Sequence, residues 1–277
     1  MLDLPPGSIV SRGSGQATAL IHGALSSSAF WPQRLPRRIM GGRTISYPLP
    51  GHYPWQLPAA QFKKVLTARN VAAAYAIALK RDFEGVPVHI MGHSTGGFVA
   101  IAVAALYPSL VSRLTIVGGF ADGAIVGSSP TLKYMLNVEG SANLALRSLL
   151  RIWTSTSITF RAGLATVIAI PESNLGRPEF CRIAEKARLD LLRSDIDQIV
   201  EMGRWVGRQN LKYQVNRIRQ PTLILAGQDD PVIPLSHQRT LAQSMPNARF
   251  AAFSHTGHLP MLEQSQSFCA HVDASFR

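Results

Sequence analysis

The feature that most constrains this chain is the pentapeptide Gly-His-Ser-Thr-Gly from Gly92 to Gly96, which joins two apolar segments. The segment before it, 87–91, is typical of a buried β-strand, and the segment 97–107 is apolar nearly all round, as in a buried helix. A strand that passes directly into a helix needs a sharp turn, and the two glycines leave room for it. The sequence therefore predicts that Ser94 projects above the carboxyl end of its strand, where helix N-terminal amides point.

The rest of the chain alternates short β-rich runs with helical stretches, which is the pattern of a mostly parallel sheet. Between residue 121 and about residue 215 this alternation disappears, and the sequence predicts helices and loops instead. We therefore predict an α/β core domain formed by residues 1–120 and 216–277, interrupted by a helical cap over 121–215. The elements predicted in the core are strands over 17–21, 43–47, 87–91, 114–117, 221–226 and 248–252, and helices over 58–81, 97–107, 235–245 and 261–276.

The composition is that of a folded chain with a sizeable core. Of its 277 residues, 46% are hydrophobic and 16% are charged, so there is ample apolar surface to offset chain entropy. No segment approaches the ~20 apolar residues that a membrane helix needs. Two cysteines, Cys181 and Cys269, exclude a disulfide scaffold and a multi-cysteine zinc site. Because the start shows no secretory signal, we expect a cytoplasmic protein. We also expect a monomer or a homodimer.

A serine is a poor nucleophile without a neighbouring base, and the best candidate for that base is His258. It lies between a predicted strand and a predicted helix, so its loop should reach the sheet edge that carries Ser94. Gly257 gives the backbone freedom immediately before it. His255 in the same loop is the alternative, but it lies nearer to the strand. His93 adjoins Ser94, so its side chain should point away from the site.

The base needs a carboxylate that fixes its tautomer and stabilises the imidazolium. Asp230 follows the strand predicted over 221–226, again in a loop at the carboxyl edge of the sheet. The chain order is then serine, aspartate, histidine, as expected for acyl transfer on this type of sheet. Asp229 is an alternative acid, and Asp122, after the preceding strand, is a further one.

A negative charge that develops on a carbonyl oxygen needs backbone donors. The Thr95 amide is the first candidate, because it opens the helix after Ser94. The second is the Ala24 amide in the segment 22–25, which ends another strand at the same edge. The alternative for this segment is a simple turn that ends a strand.

Together these four segments resemble the α/β-hydrolase fold superfamily, in its Ser-His-Asp esterase, peptidase and C–C hydrolase branch. The resemblance covers residues 17–120 and 215–277. It implies a mostly parallel eight-stranded sheet flanked by helices, with a cap inserted after the sixth strand. The acid position of the family falls on Asp230, and its carboxyl-terminal Gly-His falls on Gly257-His258. One departure is Pro48, which stands where the family often has an aspartate.

The nucleophile narrows the chemistry that the resemblance implies. Haloalkane dehalogenases and epoxide hydrolases of the family use aspartate at this position, and dienelactone hydrolases and polyester synthases use cysteine, so Ser94 speaks against all four. No dinucleotide-binding or phosphate-binding glycine motif and no clustered metal-ligand spacing is present, so no cofactor or metal is predicted.

We therefore predict a serine hydrolase that cleaves a carboxylic ester, lactone or thioester through the Ser94-His258-Asp230 triad. The first alternative is a thioesterase or acyltransferase acting on a carrier-bound acyl chain. An alternative of another class is a small-ligand receptor or regulatory protein that retains the triad. The residues expected to contact the small acyl substrate are Leu25, His93, Tyr134, Trp153, Trp205 and Leu259.

Four arginines, Arg34, Arg37, Arg38 and Arg43, form a local cluster in a chain whose net charge is +12. They follow the segment 22–25, which carries the second candidate donor to the oxyanion, so we expect them at the rim of the sheet edge that carries Ser94. There they would attract an acidic carrier protein or an anionic substrate. The alternative, which we favour, is a solvated face of a basic protein. No nucleic-acid motif accompanies the cluster, so no nucleic-acid partner is predicted.

Overall fold

The computed structural model describes residues 2–31, 35–125 and 141–276, and its central feature is one sheet. This sheet has seven strands in the order β1-β3-β2-β4-β5-β6-β7. The strands are β1 (Ser8–Arg12), β2 (Gly15–Ile21), β3 (Gly42–Tyr47), β4 (Val88–His93), β5 (Val111–Val117), β6 (Thr222–Gly227) and β7 (Ala248–Phe253). All neighbours are parallel except β1, which is antiparallel to β3. The predicted α/β class with a mostly parallel sheet is confirmed.

Helices connect the strands and flank the sheet. They are α1 (Arg37–Met40), α2 (Ala59–Val65), α3 (Ala68–Asp82), α4 (Thr95–Leu106), α5 (Ser141–Ser155), α6 (Ser157–Ala165), α7 (Pro171–Asn174), α8 (Pro178–Arg193), α9 (Ile196–Gly207), α10 (Lys212–Val215), α11 (Leu235–Gln243), α12 (Pro260–Glu263) and α13 (Ser265–Ala274). None of these described helices is both long and apolar enough to cross a membrane.

Two helices predicted as single are divided in the structure. The helix predicted over 58–81 breaks at Leu66 and Thr67, because the Thr67 side chain accepts a hydrogen bond from the Asn70 amide and begins a new helix. The helix predicted over 261–276 is likewise divided, with Gln264 between α12 and α13.

The sheet has one strand fewer than the family resemblance implies, as far as the described residues go. Only β1 and β2 precede the turn at His22, and β1 is an edge strand that the sequence analysis did not predict. Helices α5 to α10 lie between β5 and β6. With one strand fewer at the start, this insertion follows the fifth strand instead of the sixth. The division into a core domain and a cap domain stays a prediction.

Both faces of the sheet are covered, which explains why its central strands are apolar throughout. β4 is buried along its whole length. Successive residues of a strand point to opposite faces, so Ile90 packs into one hydrophobic cluster and Met91 into the other. The first cluster includes α3 and α4, and α4 is buried from Thr95 to Ala104, as the sequence predicts. The second includes α1, α13 and helices of the insertion.

The two ends of the insertion are joined beside the carboxyl end of β5. Asp122 and Asn210 form an antiparallel bridge. The Gly123 amide donates to the Gln209 carbonyl at 2.8 Å, and the Leu211 amide donates to the Ala121 carbonyl at 2.7 Å. These backbone hydrogen bonds fix where the insertion leaves and re-enters the core.

Candidate active site

Ser94 occupies a strained backbone conformation between β4 and α4. Its φ of 51° and ψ of −117° are rarely adopted by residues other than glycine. A methyl group on Gly92 would overlap the Gly96 carbonyl oxygen, and one on Gly96 would overlap the Ile21 carbonyl oxygen. The Ser94 amide donates to the Val117 carbonyl at 2.8 Å. The sharp turn that the sequence predicts is therefore present, and both glycines are needed for it.

His258 and Asp230 form a buried hydrogen-bonded pair. Nδ1 of His258 donates to Oδ2 of Asp230 at 2.8 Å. Oδ1 of Asp230 accepts from the amides of Val232 at 2.8 Å and Ile233 at 2.9 Å. Because the carboxylate holds the proton on Nδ1, the Nε2 atom of His258 is left as the basic nitrogen.

Asp230 is ionised in this setting. Burial alone would raise the pKa of its carboxyl group. The nearby His258 and the hydrogen bonds from His258, Ile233 and Val232 outweigh that effect, so the pKa of Asp230 lies below its usual value. A carboxylate that stays charged can stabilise an imidazolium when His258 takes up a proton.

The alternative acids and the alternative base either have other partners or are exposed. Asp229 is exposed, and its amide donates to the Thr256 carbonyl at 2.9 Å. Asp122 is paired with Lys212, whose Nζ lies 2.6 Å from its Oδ2 atom. His255 is exposed, with a φ of 51°.

Gly118 lies next to the His258-Asp230 pair and directly after the residue that holds the Ser94 amide, a position to which the sequence pattern gave no role. It directly follows Val117, whose carbonyl accepts from Ser94, and it has a φ of 54°. A methyl group here would lie 3.2 Å from Nδ1 of His258 and 3.5 Å from Oδ2 of Asp230. A glycine directly after a strand at the carboxyl edge of the sheet was the available signal.

The segment after β2 forms a turn against Ser94. A methyl group on Gly23 would lie 3.0 Å from the Ser94 Cβ atom. In the described parts of the chain no carbonyl accepts from the Ala24 amide. The Thr95 amide is the first of α4 and has no acceptor within the helix. Leu25 completes the turn with a φ of 56°. Both candidate donors therefore lie next to Ser94.

His22 fixes this turn, and the sequence analysis gave it no role. Its Nε2 atom accepts from the Leu49 amide at 3.1 Å, so Nδ1 carries the proton and donates to the Gly23 carbonyl at 2.7 Å. Burial and the nearby His52 keep the pKa of His22 well below its usual value, so the ring stays neutral. A histidine directly before the turn glycine was the signal in the sequence that could have shown this role.

His93 packs against His258 instead of pointing away from the site, so the expectation about its direction was wrong. Its Nε2 atom donates to the His258 carbonyl at 2.9 Å, and the two ring centroids lie 4.8 Å apart. The Phe30 ring stacks on its other side, at 5.7 Å. Burial and, to a smaller degree, the nearby His258 lower the pKa of His93 to about 3, so the ring is a neutral support for the His258 loop.

The other residues expected to bind substrate differ from one another in burial and in the residues that they contact. Leu25 is half-buried and Leu259 is buried. Trp205 packs edge-on against Phe98 at 5.9 Å, inside the core. Tyr134 lies outside the described residues, so its role as a substrate contact stays a prediction. Within the described ranges, no three His, Cys, Asp or Glu side chains are grouped as metal ligands would be.

Trp153 packs within the insertion. Its ring stacks on Phe160 with centroids 4.5 Å apart, and its Nε1 atom donates to the Phe160 carbonyl at 3.1 Å. We expect Trp153→Ala to lower the unfolding free energy by about 2 kcal/mol. The preference among p-nitrophenyl esters of increasing chain length should stay unchanged. Tyr213→Ala, at an exposed aromatic, is the control. A changed chain-length preference for Trp153→Ala alone would support the predicted contact between Trp153 and the substrate, which stays a prediction.

Three arginines of the basic cluster, Arg37, Arg38 and Arg43, lie at the opposite edge of the sheet, so the prediction that they border the edge that carries Ser94 was wrong. The chain crosses back over the sheet between β2 and β3, and α1, with Arg37 and Arg38, precedes β3. These residues therefore lie at the amino ends of the parallel strands, whereas Ser94 follows a carboxyl end. Arg43 is paired with Glu84 at 3.1 Å. Arg34 lies outside the described residues.

Comparison with known proteins identifies the family of this chain. The sequence model of the alpha/beta hydrolase family matches residues 19–271, which is most of the chain. The chain belongs to the α/β hydrolase family. The esterase, peptidase and C–C hydrolase resemblance therefore points to the right family.

Two relatives and one solved structure show the range of this family. A 2-hydroxy-6-oxononadienedioate/2-hydroxy-6-oxononatrienedioate hydrolase of Pseudomonas sp is 27% identical over 213 residues, 73% of this α/β hydrolase and 69% of the relative. Pyrrolizixenacetamide deacetylase of Xenorhabdus hominickii is 25% identical over 266 residues, 92% of this chain and 89% of its own. A hydrolase from Pseudomonas aeruginosa superposes with a TM-score of 0.74 at 22% identity, covering 98% of this chain and 93% of its own, which shows the shared fold.

Proposed function

We propose that this α/β hydrolase is a serine hydrolase that cleaves a carboxylic ester, lactone or thioester through an acyl-enzyme. The single observation that carries the proposal is the buried His258-Asp230 hydrogen bond of 2.8 Å beside a serine in a strained turn. Strain of this kind concentrates at functional sites, because the surrounding structure must hold it in place.

In the first half of the reaction Ser94 Oγ attacks the substrate carbonyl carbon. Nε2 of His258 takes the hydroxyl proton, and the resulting imidazolium is stabilised by the ionised Asp230. The amides of Ala24 and Thr95 donate to the oxyanion of the tetrahedral intermediate. When the C–O or C–S bond breaks, His258 donates this proton to the leaving group.

The second half repeats these steps with water. Nε2 of His258 accepts a proton from a water molecule, which attacks the acyl carbonyl, and the same two amides hold the new oxyanion. His258 then returns the proton to Ser94 Oγ as the acid product leaves. His22 supports both halves, because it fixes the turn that carries the Ala24 amide.

The proposal is tested by labelling the chain with a fluorophosphonate and by following p-nitrophenyl ester turnover. We expect one label per chain, on Ser94, and continuous turnover that the label abolishes. A receptor that retains the triad would instead release about one equivalent of nitrophenol and then stop. Labelling at another residue, or no turnover across short- and long-chain esters and thioesters, would contradict the proposal.

A second candidate is hydrolysis of a carbon–carbon bond, which the 27% identical dienedioate hydrolase favours. In a reaction of this kind the leaving group is a carbon acid instead of an alcohol or thiol. A direct comparison of kcat/KM for a p-nitrophenyl ester and a 2-hydroxy-6-oxo-dienoate decides between the two. A preference of a hundredfold or more for the dienoate would move the assignment.

The thioesterase or acyltransferase alternative loses the support of the basic cluster. The six residues of β3 span about 20 Å, and charge attraction is screened over ~8–10 Å at physiological salt. We therefore expect Arg38→Glu combined with Arg43→Glu to change KM by less than about twofold, equally for a neutral ester and for an acyl group on an acidic carrier protein. A selective rise in KM for the carrier-bound substrate would restore the alternative.

A further inference from the structure

Glu263 is a buried carboxylate that none of the steps above uses. Only 9% of the residue is exposed, and it closes the short helix α12, directly after the His258 loop. Its Oε1 atom accepts from the amides of Gly257 at 3.1 Å and Leu259 at 3.0 Å. Its Oε2 atom accepts from the amides of Gly257 and Ala169, both at 2.9 Å. Two of these amides flank the candidate base, and the third belongs to the insertion.

The amide of His258 itself is held by the insertion. It donates to the Val167 carbonyl at 2.7 Å, so three successive amides, from Gly257 to Leu259, end on either Glu263 or Val167. The two chain segments meet closely, since a methyl group on Gly257 would lie 2.5 Å from the Val167 carbonyl oxygen and 2.8 Å from the Ala169 nitrogen. The insertion is therefore part of the support of the His258 loop.

A carboxylate suits this position because it only accepts hydrogen bonds. Both of its oxygens face N–H donors, and hydrogen bonds from amides to an ionised acceptor are shorter and stronger than those between neutral groups. A neutral amide of the same shape would accept at one end only. At the other end its NH₂ group would face either the Ala169 amide or the Leu259 amide. Both groups are donors, so no hydrogen bond could form there.

We propose that Glu263 is a positioning residue for His258: it holds the two amides that flank the base and ties them to the insertion at Ala169. The inference rests on the proposed serine hydrolase function, in which Nε2 of His258 must reach Ser94 Oγ. A displacement of about 1 Å in such a group can lower the rate about a hundredfold, so the contact at Ala169 makes the position of the base depend on the insertion.

The test compares Glu263→Gln with Glu84→Gln, a control that neutralises an exposed carboxylate at the other edge of the sheet. We expect Glu263→Gln to lower kcat about ten- to hundredfold per site titrated with fluorophosphonate, with KM changed by less than about threefold. Glu263→Asp keeps the charge but is shorter, so its kcat should lie between that of Glu263→Gln and that of the unchanged enzyme. A merely stabilising role would lower the melting temperature but leave kcat per titrated site unchanged.

Amide hydrogen exchange measures the same contacts without activity. Exchange in peptides that cover 166–170 and 256–260 should be faster in Glu263→Gln and unchanged in Glu84→Gln. Unchanged exchange would overturn the proposed contacts, and faster exchange with an unchanged kcat per titrated site would overturn the effect on His258. If the unchanged protein is neither labelled nor active, the proposed function fails, and the exchange result alone decides whether Glu263 holds these amides.

Discussion

Replacing Ser94 with alanine is expected to lower ester turnover by a factor of about 10³ to 10⁶, because only the oxyanion donors and substrate binding remain. The fold should stay intact, since the strained turn is held by Gly92, Gly96 and the hydrogen bond from the Ser94 amide to Val117, none of which needs the hydroxyl group. Loss of the nucleophile has the largest effect that we expect of any single substitution in this chain.

The measurement is turnover of a p-nitrophenyl ester, with the melting temperature taken alongside. Ser236→Ala is the matched control, because Ser236 is exposed on α11 and lies outside the site. It should keep full activity. If Ser94→Ala retained activity within tenfold of the unchanged enzyme, Ser94 would not be the nucleophile.

Asp230→Asn should lower kcat by about 10⁴, whereas Asp229→Asn should change it by less than about threefold. An asparagine can still accept from the amides of Val232 and Ile233 at its oxygen. Its NH₂ group would then face Nδ1 of His258, which could no longer keep its proton there, and the wrong tautomer would be favoured. The Nε2 atom of Gln238 lies 3.3 Å from Oδ2 of Asp230 and is also a donor. It too would face the new NH₂ group without an acceptor.

Steady-state kinetics of the two variants test this prediction. Equal losses, or a larger loss for Asp229→Asn, would mean that the hydrogen bond between His258 and Asp230 is not the one used in catalysis. Asp229 is a suitable control for Asp230, because the two residues are adjacent in the chain and of the same type, but only Asp230 is buried.

The stability of the folded chain at low pH gives an independent readout for Asp230. Its pKa is lower in the folded chain than in the unfolded chain, so the unfolded state binds more protons as the pH falls. This contribution to the unfolding free energy is complete above the unfolded pKa of about 3.9 and is lost as the pH falls through the folded pKa. Acid unfolding of Asp230→Asn should lack this part of the pH dependence.

Where the sequence pattern was local, prediction and structure agree closely. The strand before Ser94 was predicted over 87–91 and runs over Val88–His93, because its apolar run is bounded by Pro87 and the glycine turn. The helix predicted over 97–107 runs over Thr95–Leu106 for the same reason. The break at Thr67 was missed because a continuing apolar pattern on both sides concealed a threonine that caps a helix.

The basic cluster shows what a linear pattern cannot give. Arg37 and Arg43 follow the turn at residues 22–25 closely in the chain, but a parallel sheet requires the connection to return to the opposite edge before the next strand begins. Arg37 and Arg43 are therefore close to this turn in the sequence but distant from it in the structure. The same requirement brings Ser94, Asp230 and His258 to one edge, because each follows the carboxyl end of its strand.

The sequence alone determined the sheet class and the sharp turn around Ser94, and it gave His258 and Asp230 as the first candidates for the base and the acid. These features follow from local rules: apolar periodicity, glycines where the backbone is crowded, and loops at the carboxyl ends of parallel strands. Only the tertiary structure decided that His93 supports the His258 loop and that Glu263 joins that loop to the insertion. Those roles depend on hydrogen bonds between segments far apart in the chain, and no local pattern of residues encodes where such segments meet.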